Sequence, residues 1–269
     1  MRGESTDLRS AIAGPEPVLA LPVHPGLSAG APEASHGQVA HGTTVIAVKC
    51  LDGVINVGDR RATASYSVMY DQAEKVLALD DFTLLAISGS YARSIEVVRY
   101  LRHAFRYFER SQLQPMSLDG KLSEVARAVA AGLSMAMQGL GGFIPILSTW
   151  DPSAGEPRIF FYDAMGARFE SAEYGAAGSG SVQIRGAFEY VVRTKSPFRQ
   201  MPRADALREA LRLLDIAADL DAATGGWAKV LPLARVITAE GIQDVSEAEL
   251  RAAVAGLAQG EATFVADRG

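Results

Sequence analysis

The sequence predicts an α+β protein in which helices cover β-sheets. Three observations support this prediction: β-rich segments open the ordered part of the chain, two consecutive amphipathic helices follow, and strands and then helices recur in the second half. Runs of strands followed by runs of helices are typical of α+β proteins. The chain has 269 residues, 48% of them hydrophobic, which is enough to bury a full core without disulfides or metals.

The first elements are predicted to be two β-hairpins. The segment TTVIAVKC (43–50) is rich in β-branched residues, LDG supplies a turn, and VINVGDRR (54–61) is β-rich again. The segment KVLALDDFTLLAISGS (75–90) repeats this scheme, with Asp80 and Asp81 as the expected turn.

Two helices are predicted next, at 91–112 and 119–138, because apolar residues recur there at intervals of three or four positions. These residues are Ile95, Val98, Leu101, Phe105 and Phe108 in the first helix, and Leu122, Val125, Val129, Leu133 and Met137 in the second.

The second half of the chain returns to strands and then to helices. Strands are predicted in FIPILSTWD (143–151), PRIFFYDAMG (157–166), ARFESAEYGAAGSG (167–180) and LARVITAEG (233–241), and helices at 181–194, 204–220 and 246–258. The last helix opens with a capping box, because Glu249 follows Ser246 by three positions.

The first 42 residues differ from the rest in composition. They are rich in Gly, Pro, Ala and Ser, show no hydrophobic period, and contain prolines that preclude a long helix. We expect a disordered or weakly ordered arm, with order beginning abruptly at Thr43.

Charge and cysteine content exclude several classes of protein. The net charge of −5 does not indicate the positively charged surface that binding of nucleic acid needs. No apolar run is long enough to span a membrane. A single cysteine, Cys50, rules out an intrachain disulfide and is typical of a reducing compartment, so a cytoplasmic location is expected.

The histidines leave few options for catalysis. Three of the four lie in the first 42 residues, and His103 falls inside an amphipathic helix. Few histidines are therefore left to form a Ser-His-Asp arrangement or a metal site. Cys50 ends an apolar strand and is expected to be a small core residue. The Gly-rich GAAGSGS lacks the lysine of a phosphate loop, and no cofactor is expected.

An N-terminal threonine provides a catalytic scheme that needs no histidine. If the Gly42–Thr43 bond is cut, Thr43 carries a hydroxyl nucleophile and a free α-amine, whose pKa of about 8 lets it act as a base near neutral pH. The scheme also needs a nearby cation, a carboxylate to hold that cation, and backbone N–H groups for the oxyanion. Gly42 suits the cut because it has no Cβ to obstruct attack.

Six motifs carry a resemblance to a known family. The motifs GTTVIAVK, GDRRAT, EKV, ISGS, GSGS and DAATGG occur in this order along the chain, and the resemblance covers about residues 43–245. Together they resemble the β subunits of the 20S proteasome in its bacterial, actinobacterial form. The resemblance implies a four-layer αββα sandwich of the N-terminal nucleophile hydrolase type. It also implies a threonine endopeptidase with residues 1–42 as a propeptide and 43–269 as the catalytic domain.

The resemblance also implies roles for individual residues. Thr43 matches the nucleophile, Asp59 the carboxylate that holds a lysine, Lys75 that lysine, and Gly89 the oxyanion-binding N–H. Three further residues, Ser179, Asp221 and Thr224, match the groups that orient the α-amine. Thr63 matches the residue that pairs with an extended substrate.

Two positions depart from the family pattern. Tyr91 stands where a small residue is usual and bears on the side-chain pocket for substrate. Trp227-Ala228 replaces the Pro-Asp that often follows ATGG, which bears on ring contacts more than on chemistry.

The partners implied are proteasome α subunits and further β subunits, in heptameric rings of a 28-subunit core. An ATPase ring would feed unfolded protein, in some cases tagged by a ubiquitin-like protein. Three alternatives remain at this stage: a non-catalytic ring subunit, the smaller two-ring bacterial peptidase related to the proteasome, and an N-terminal-nucleophile amidase. Intact Thr43, Asp59 and Lys75 weigh against the first, the long leader against the second, and the combined GDRR and EKV motifs against the third.

Overall fold

The computed structural model describes residues 42–64, 67–138 and 142–266, which form twelve strands and six α-helices. The strands are β1 (Thr44–Cys50), β2 (Gly53–Gly58), β3 (Ala62–Ala64), β4 (Ser67–Tyr70), β5 (Val76–Asp80), β6 (Thr83–Ala86), β7 (Ile146–Asp151), β8 (Glu156–Tyr162), β9 (Arg168–Ser171), β10 (Tyr174–Gly178), β11 (Leu233–Thr238) and β12 (Gly241–Asp244). The helices are α1 (Tyr91–Gln112), α2 (Leu118–Ala130), α3 (Leu133–Met137), α4 (Ser181–Thr194), α5 (Arg203–Leu220) and α6 (Glu247–Ala266).

Ten of these strands form two antiparallel sheets of five strands each. The first sheet has the order β10-β1-β2-β11-β12, and the second has the order β5-β6-β7-β8-β9. Strands β3 and β4 pair separately as a short hairpin. Because β1 lies between β10 and β2, its first residues are flanked by the last residues of both neighbours: Thr44 pairs with Gly178 and Val45 with Gly58.

Successive side chains of a strand point to opposite faces of the sheet, and both faces of the first sheet are apolar. Val45, Ala47 and Val54 belong to one buried cluster with residues of the second sheet, such as Leu84, Ile146 and Ile159. The two sheets therefore pack on each other. The intervening residues of the first sheet, including Ile46, Val48 and Ile55, belong instead to a cluster with helical residues.

Helices cover the outer face of each sheet. In α4 and α5 the buried side chains, among them Phe188 and Leu211, pack on the first sheet. In α1 and α2 the buried side chains, among them Leu101 and Val125, pack on the second sheet. The predicted α+β class is confirmed. No helix among the described ranges combines the length and the apolar character that a bilayer crossing needs.

Most sequence-predicted elements occur within a few residues of their expected positions, and the exceptions have physical reasons. The predicted helix 119–138 is interrupted after Ala130, because the apolar period leads to Met137, which is 81% exposed and has no core to face. The turn between β5 and β6 is Asp81-Phe82, and Asp80 ends β5, where its carboxylate accepts from the Phe82 N–H at 3.0 Å.

Strands β3, β4 and β12 were not predicted, and the last helix runs past residue 258. The predicted cap of that helix is present, since Ser246 Oγ accepts from the Glu249 N–H at 3.2 Å. Cys50 is buried, as expected of a core residue. The arm predicted for residues 1–42 lies, apart from Gly42, outside the described residues.

Candidate active site

The start of β1 is the point where the predicted site residues meet. Asp59 follows directly after β2, and Ser179 follows directly after β10. Because both strands run antiparallel to β1 and end beside its first residue, these two side chains flank Thr43 and Thr44. The sheet therefore brings together motifs that lie more than 130 residues apart in the sequence.

Asp59 and Lys75 form a buried ion pair at this edge. Lys75 Nζ donates to Asp59 Oδ1 at 2.7 Å, and the two side chains are 2% and 0% exposed. Lys75 Nζ also donates to the carbonyl oxygens of Arg61 and Gly42, the latter at 3.3 Å. The ammonium thus reaches from the carboxylate to the carbonyl of the Gly42–Thr43 bond.

The Asp59 carboxylate is held by the backbone on both oxygens. Oδ1 accepts from the Thr44 N–H at 2.9 Å, and Oδ2 accepts from the N–H groups of Arg61 and Gly225, each at 3.0 Å. These donors satisfy both oxygens of the buried carboxylate and fix its orientation.

Burial lowers the pKa of the Lys75 ammonium below its ordinary value of 10.5, and the positive charge of Arg61 acts in the same direction. The Asp59 carboxylate opposes the shift but does not cancel it. Lys75 therefore loses its proton more readily than an exposed lysine, which suits a group that takes a proton during a reaction.

Thr43 presents its hydroxyl to the bond that precedes it. Thr43 Oγ1 donates to the Gly42 carbonyl oxygen at 2.7 Å, and the residue is 4% exposed. Its backbone N–H points to Ser179 Oγ at 3.4 Å. The Thr43 hydroxyl and the Lys75 ammonium therefore both contact the carbonyl of the Gly42–Thr43 peptide bond.

Ser179, Asp221 and Thr224 come together as a second group. The Asp221 Oδ2 atom accepts from Ser179 Oγ at 2.5 Å and from Thr224 Oγ1 at 2.6 Å. Through Ser179 this group reaches the nitrogen of Thr43.

The surroundings of residue 42 admit only glycine. A Cβ added at Gly42 would lie 1.8 Å from the Cβ of Ala223 and 2.6 Å from its Cα and carbonyl oxygen. The Gly42 N–H donates to Thr63 Oγ1 at 2.9 Å, so Gly42 is held against β3.

Comparison with known proteins identifies the family. A family model described as "Proteasome subunit" matches residues 39–231. A protein named proteasome subunit beta from Jonesia denitrificans is 36% identical over 213 residues, which cover 78% of this chain and 68% of that protein. Proteins of the same name from Frankia casuarinae and Stackebrandtia nassauensis are 35% and 34% identical, over 87% and 82% of this chain and 84% and 80% of theirs. The chain belongs to the proteasome family.

As a β-type proteasome subunit, the chain is a threonine-type endopeptidase of the proteasome core, and it assembles with α subunits into a multi-subunit particle. Within residues 42–64, 67–138 and 142–266, no cluster of three or more His, Cys, Asp or Glu side chains is arranged to hold a metal ion.

Three further positions singled out by the sequence are Gly89, Tyr91 and Trp227. Gly89 has a φ of 94°, and a Cβ there would lie 2.0 Å from the Gly142 carbonyl oxygen. Its part in binding an oxyanion stays a prediction. Tyr91 is the first residue of α1 and packs against the core of the second sheet. Trp227 packs against the core of the first sheet, which accounts for an aromatic residue at that position.

Sequence reasoning missed two residues of this proteasome subunit that join the site. Arg61 Nη1 donates to the carbonyl oxygens of Ala222 and Thr224, each at 3.1 Å, and so ties the loop of Asp221 to the loop of Asp59. Thr44 contacts both groups of site residues. The Thr43-Thr44 pair was the available signal, since a strand start needs no second threonine.

Proposed function

We propose that the chain is made as a precursor in which residues 1–42 are a propeptide and 43–269 the catalytic domain, and that Thr43 cuts the bond before itself. One observation carries this proposal: Thr43 Oγ1 and Lys75 Nζ both donate to the Gly42 carbonyl oxygen, at 2.7 and 3.3 Å. A nucleophile and a proton-transfer group are thus in place on the bond to be cut.

The cleavage follows from these contacts. Lys75, once neutral, takes the hydroxyl proton as Thr43 Oγ1 bonds to the Gly42 carbonyl carbon. The bond from that carbon to the Thr43 nitrogen then breaks, and the nitrogen takes the proton from Lys75. Water hydrolyses the resulting ester, which releases the Gly42 carboxylate and leaves Thr43 with a free hydroxyl and α-amine.

Peptide hydrolysis uses the same hydroxyl on a substrate carbonyl. Asp59 orients Lys75, and Ser179, Asp221 and Thr224 hold the new α-amine. The Gly89 N–H stabilises the oxyanion. Thr63 in β3 pairs with an extended substrate by strand addition, and Tyr91 borders the pocket for the substrate side chain.

The finer architecture is proposed from the packing. Two sheets that share one buried cluster, each covered by a helix pair, fit the four-layer αββα sandwich of N-terminal nucleophile hydrolases. Heptameric β rings between α rings, in a 28-subunit core in the cytoplasm, fit a subunit of this family. An ATPase ring and a ubiquitin-like tag on substrates complete the proposed route of delivery.

An isosteric substitution tests the proposed chemistry. Asp59→Asn keeps the shape of the side chain but removes the charge that holds Lys75, so particles assembled with α subunits should lose fluorogenic-peptide hydrolysis by about 100-fold or more. Asp119→Asn is the matched control, since the Asp119 side chain is 76% exposed and pairs with Arg168 at the surface. Equal activity of the two variants would refute the role assigned to Asp59.

A further inference from the structure

We propose that Thr44, the residue after the nucleophile, is a positioning residue whose hydroxyl sets the geometry of the groups that hold the α-amine. The inference rests on the proposed function of Thr43. Thr44 is fully buried, and its Oγ1 lies 2.7 Å from Thr224 Oγ1. The same Oγ1 accepts from the Gly180 N–H at 3.1 Å.

The direction of these hydrogen bonds follows from the chemistry of the groups. An ionised carboxylate only accepts, so the single hydroxyl proton of Thr224 goes to Asp221 Oδ2, 2.6 Å away. Thr44 must then donate to Thr224, and its own oxygen is free to accept from Gly180. A one-way series therefore runs from the Gly180 N–H through Thr44 and Thr224 to Asp221.

This series locates Ser179, the partner of the Thr43 nitrogen, and the Asp221 carboxylate that orients the Ser179 hydroxyl. Gly180 is bonded directly to Ser179, so holding its N–H fixes the backbone that carries the Ser179 hydroxyl. Thr224 fixes Asp221, and Asp221 Oδ2 accepts a hydrogen bond from the Ser179 hydroxyl at 2.5 Å. With its proton committed there, Ser179 Oγ keeps its lone pairs for the Thr43 N–H.

The backbone of Thr44 serves the other half of the site. Its N–H donates to Asp59 Oδ1 at 2.9 Å, on the same oxygen that accepts from Lys75. One residue thus joins the pair that handles the hydroxyl proton to the group that holds the amine. Substitution of the Thr44 side chain leaves this backbone contact in place. Such a substitution therefore tests the side chain of Thr44 separately from its backbone.

Two substitutions separate the hydroxyl from the methyl group of Thr44. Both Thr44→Ala and Thr44→Ser lose the methyl, but only Thr44→Ser keeps the hydroxyl. Each variant is assembled with α subunits, and kcat and KM for a fluorogenic peptide are measured per processed subunit, counted by mass. We expect Thr44→Ala to lower kcat about tenfold with KM changed less than about twofold, and Thr44→Ser to retain at least about half of kcat.

A double substitution tests the route of the effect. If Thr44 acts through Thr224, adding Thr44→Ala to Thr224→Ala should cost less than about threefold in kcat instead of about tenfold. Should Thr44→Ala fail to assemble, Thr44→Cys replaces it in both tests, because a thiol is a much weaker hydrogen-bond donor than a hydroxyl.

Three results would overturn the inference: an unchanged kcat in Thr44→Ala, an equal loss in Thr44→Ser and Thr44→Ala, or a full loss in the Thr224→Ala background. Failure of the proposed function is distinguishable, because wild-type subunits would then remain uncut after Gly42, or Thr43→Ala particles would still hydrolyse peptide.

Discussion

Lys75 Nζ lies 2.7 Å from Asp59 Oδ1 in a pair that is almost wholly removed from solvent. Burying two charges costs free energy that their attraction only partly offsets, so such a pair is weak evidence of a stabilising role. Lys75 Nζ also donates to the Gly42 carbonyl oxygen, so the pair contacts the bond that is to be cut. Burial also lowers the pKa of Lys75, which brings proton transfer closer to neutral pH.

Replacing Lys75 by alanine is expected to abolish both processing and peptide hydrolysis, because Lys75 takes the Thr43 hydroxyl proton before the α-amine exists, and an uncut subunit has no N-terminal threonine. Removing one member of a buried pair also costs about 3–5 kcal/mol, so a lower melting temperature is expected. Processing is read by mass and turnover with a fluorogenic peptide. Lys195→Ala is the control, since the Lys195 side chain is 43% exposed and its partner Glu209 keeps the ion pair with Arg212. Near-normal turnover by Lys75→Ala would remove Lys75 from the mechanism.

The rate of self-processing is expected to rise with pH. The pKa of Lys75 is lowered from 10.5, so the neutral amine becomes populated as pH rises through that lowered value, and the rate should level off before pH 10.5. Particles are assembled at low pH, transferred to a series of higher pH values, and sampled by mass. A rate that falls, or does not change, as pH rises would contradict proton transfer to Lys75.

Substitution of Gly42 by alanine is expected to slow processing strongly. The new Cβ would lie 1.8 Å from the Ala223 Cβ, so residue 42 must shift and its carbonyl must move away from Thr43 Oγ1 and Lys75. Displacement of reacting groups by about 1 Å can cost about 100-fold in rate. In Gly256→Ala, the control within α6, the nearest atom is at an ordinary 3.9 Å. Equal processing of both variants would show that Gly42 is not sterically required.

Cys50 is expected to be unreactive in the folded protein. Burial raises the pKa of its thiol to about 12, and the Asp52 carboxylate adds to the shift. With that pKa, about one thiol in ten thousand is ionised at pH 8, and only the thiolate reacts readily. Iodoacetamide should therefore label Cys50 only after denaturation. The double variant Cys50→Ser with Leu51→Cys is the positive control, since Leu51 is 66% exposed. Rapid labelling of the native protein would contradict the buried assignment.

The sequence predicts the helices best where an apolar period faces a core. Residues 91–112 and 181–194 are helical over their predicted ranges, because Leu101 and Phe188 each lie on a continuous buried face. The β3–β4 hairpin escapes prediction because β4 is exposed along its whole length and so lacks an alternating pattern. The helix predicted to continue to Met137 is interrupted. Its sequence has the apolar period of a helix, but the last apolar residues of that period do not pack against the core.

The site residues also differ in how far the sequence predicts their roles. Thr43, Asp59 and Lys75 follow from motifs whose order resembles a known family, and the structure brings them together at one sheet edge. The role of Thr44 could not be read from the sequence, because its partners Gly180 and Thr224 lie 136 and 180 positions away. Only the pairing of β1 with β10 and the position of the Asp221 loop make them neighbours.

The most direct test of self-cleavage is the intact mass and N-terminal sequence of the subunit in assembled particles, measured for the wild type and for Thr43→Ala. Wild-type subunits should begin at Thr43 and contain residues 43–269. Thr43→Ala particles, assembled without active neighbours, should keep the full chain of 269 residues. A Thr43→Ala subunit cut cleanly after Gly42, or a wild-type subunit that begins elsewhere, would contradict the central claim.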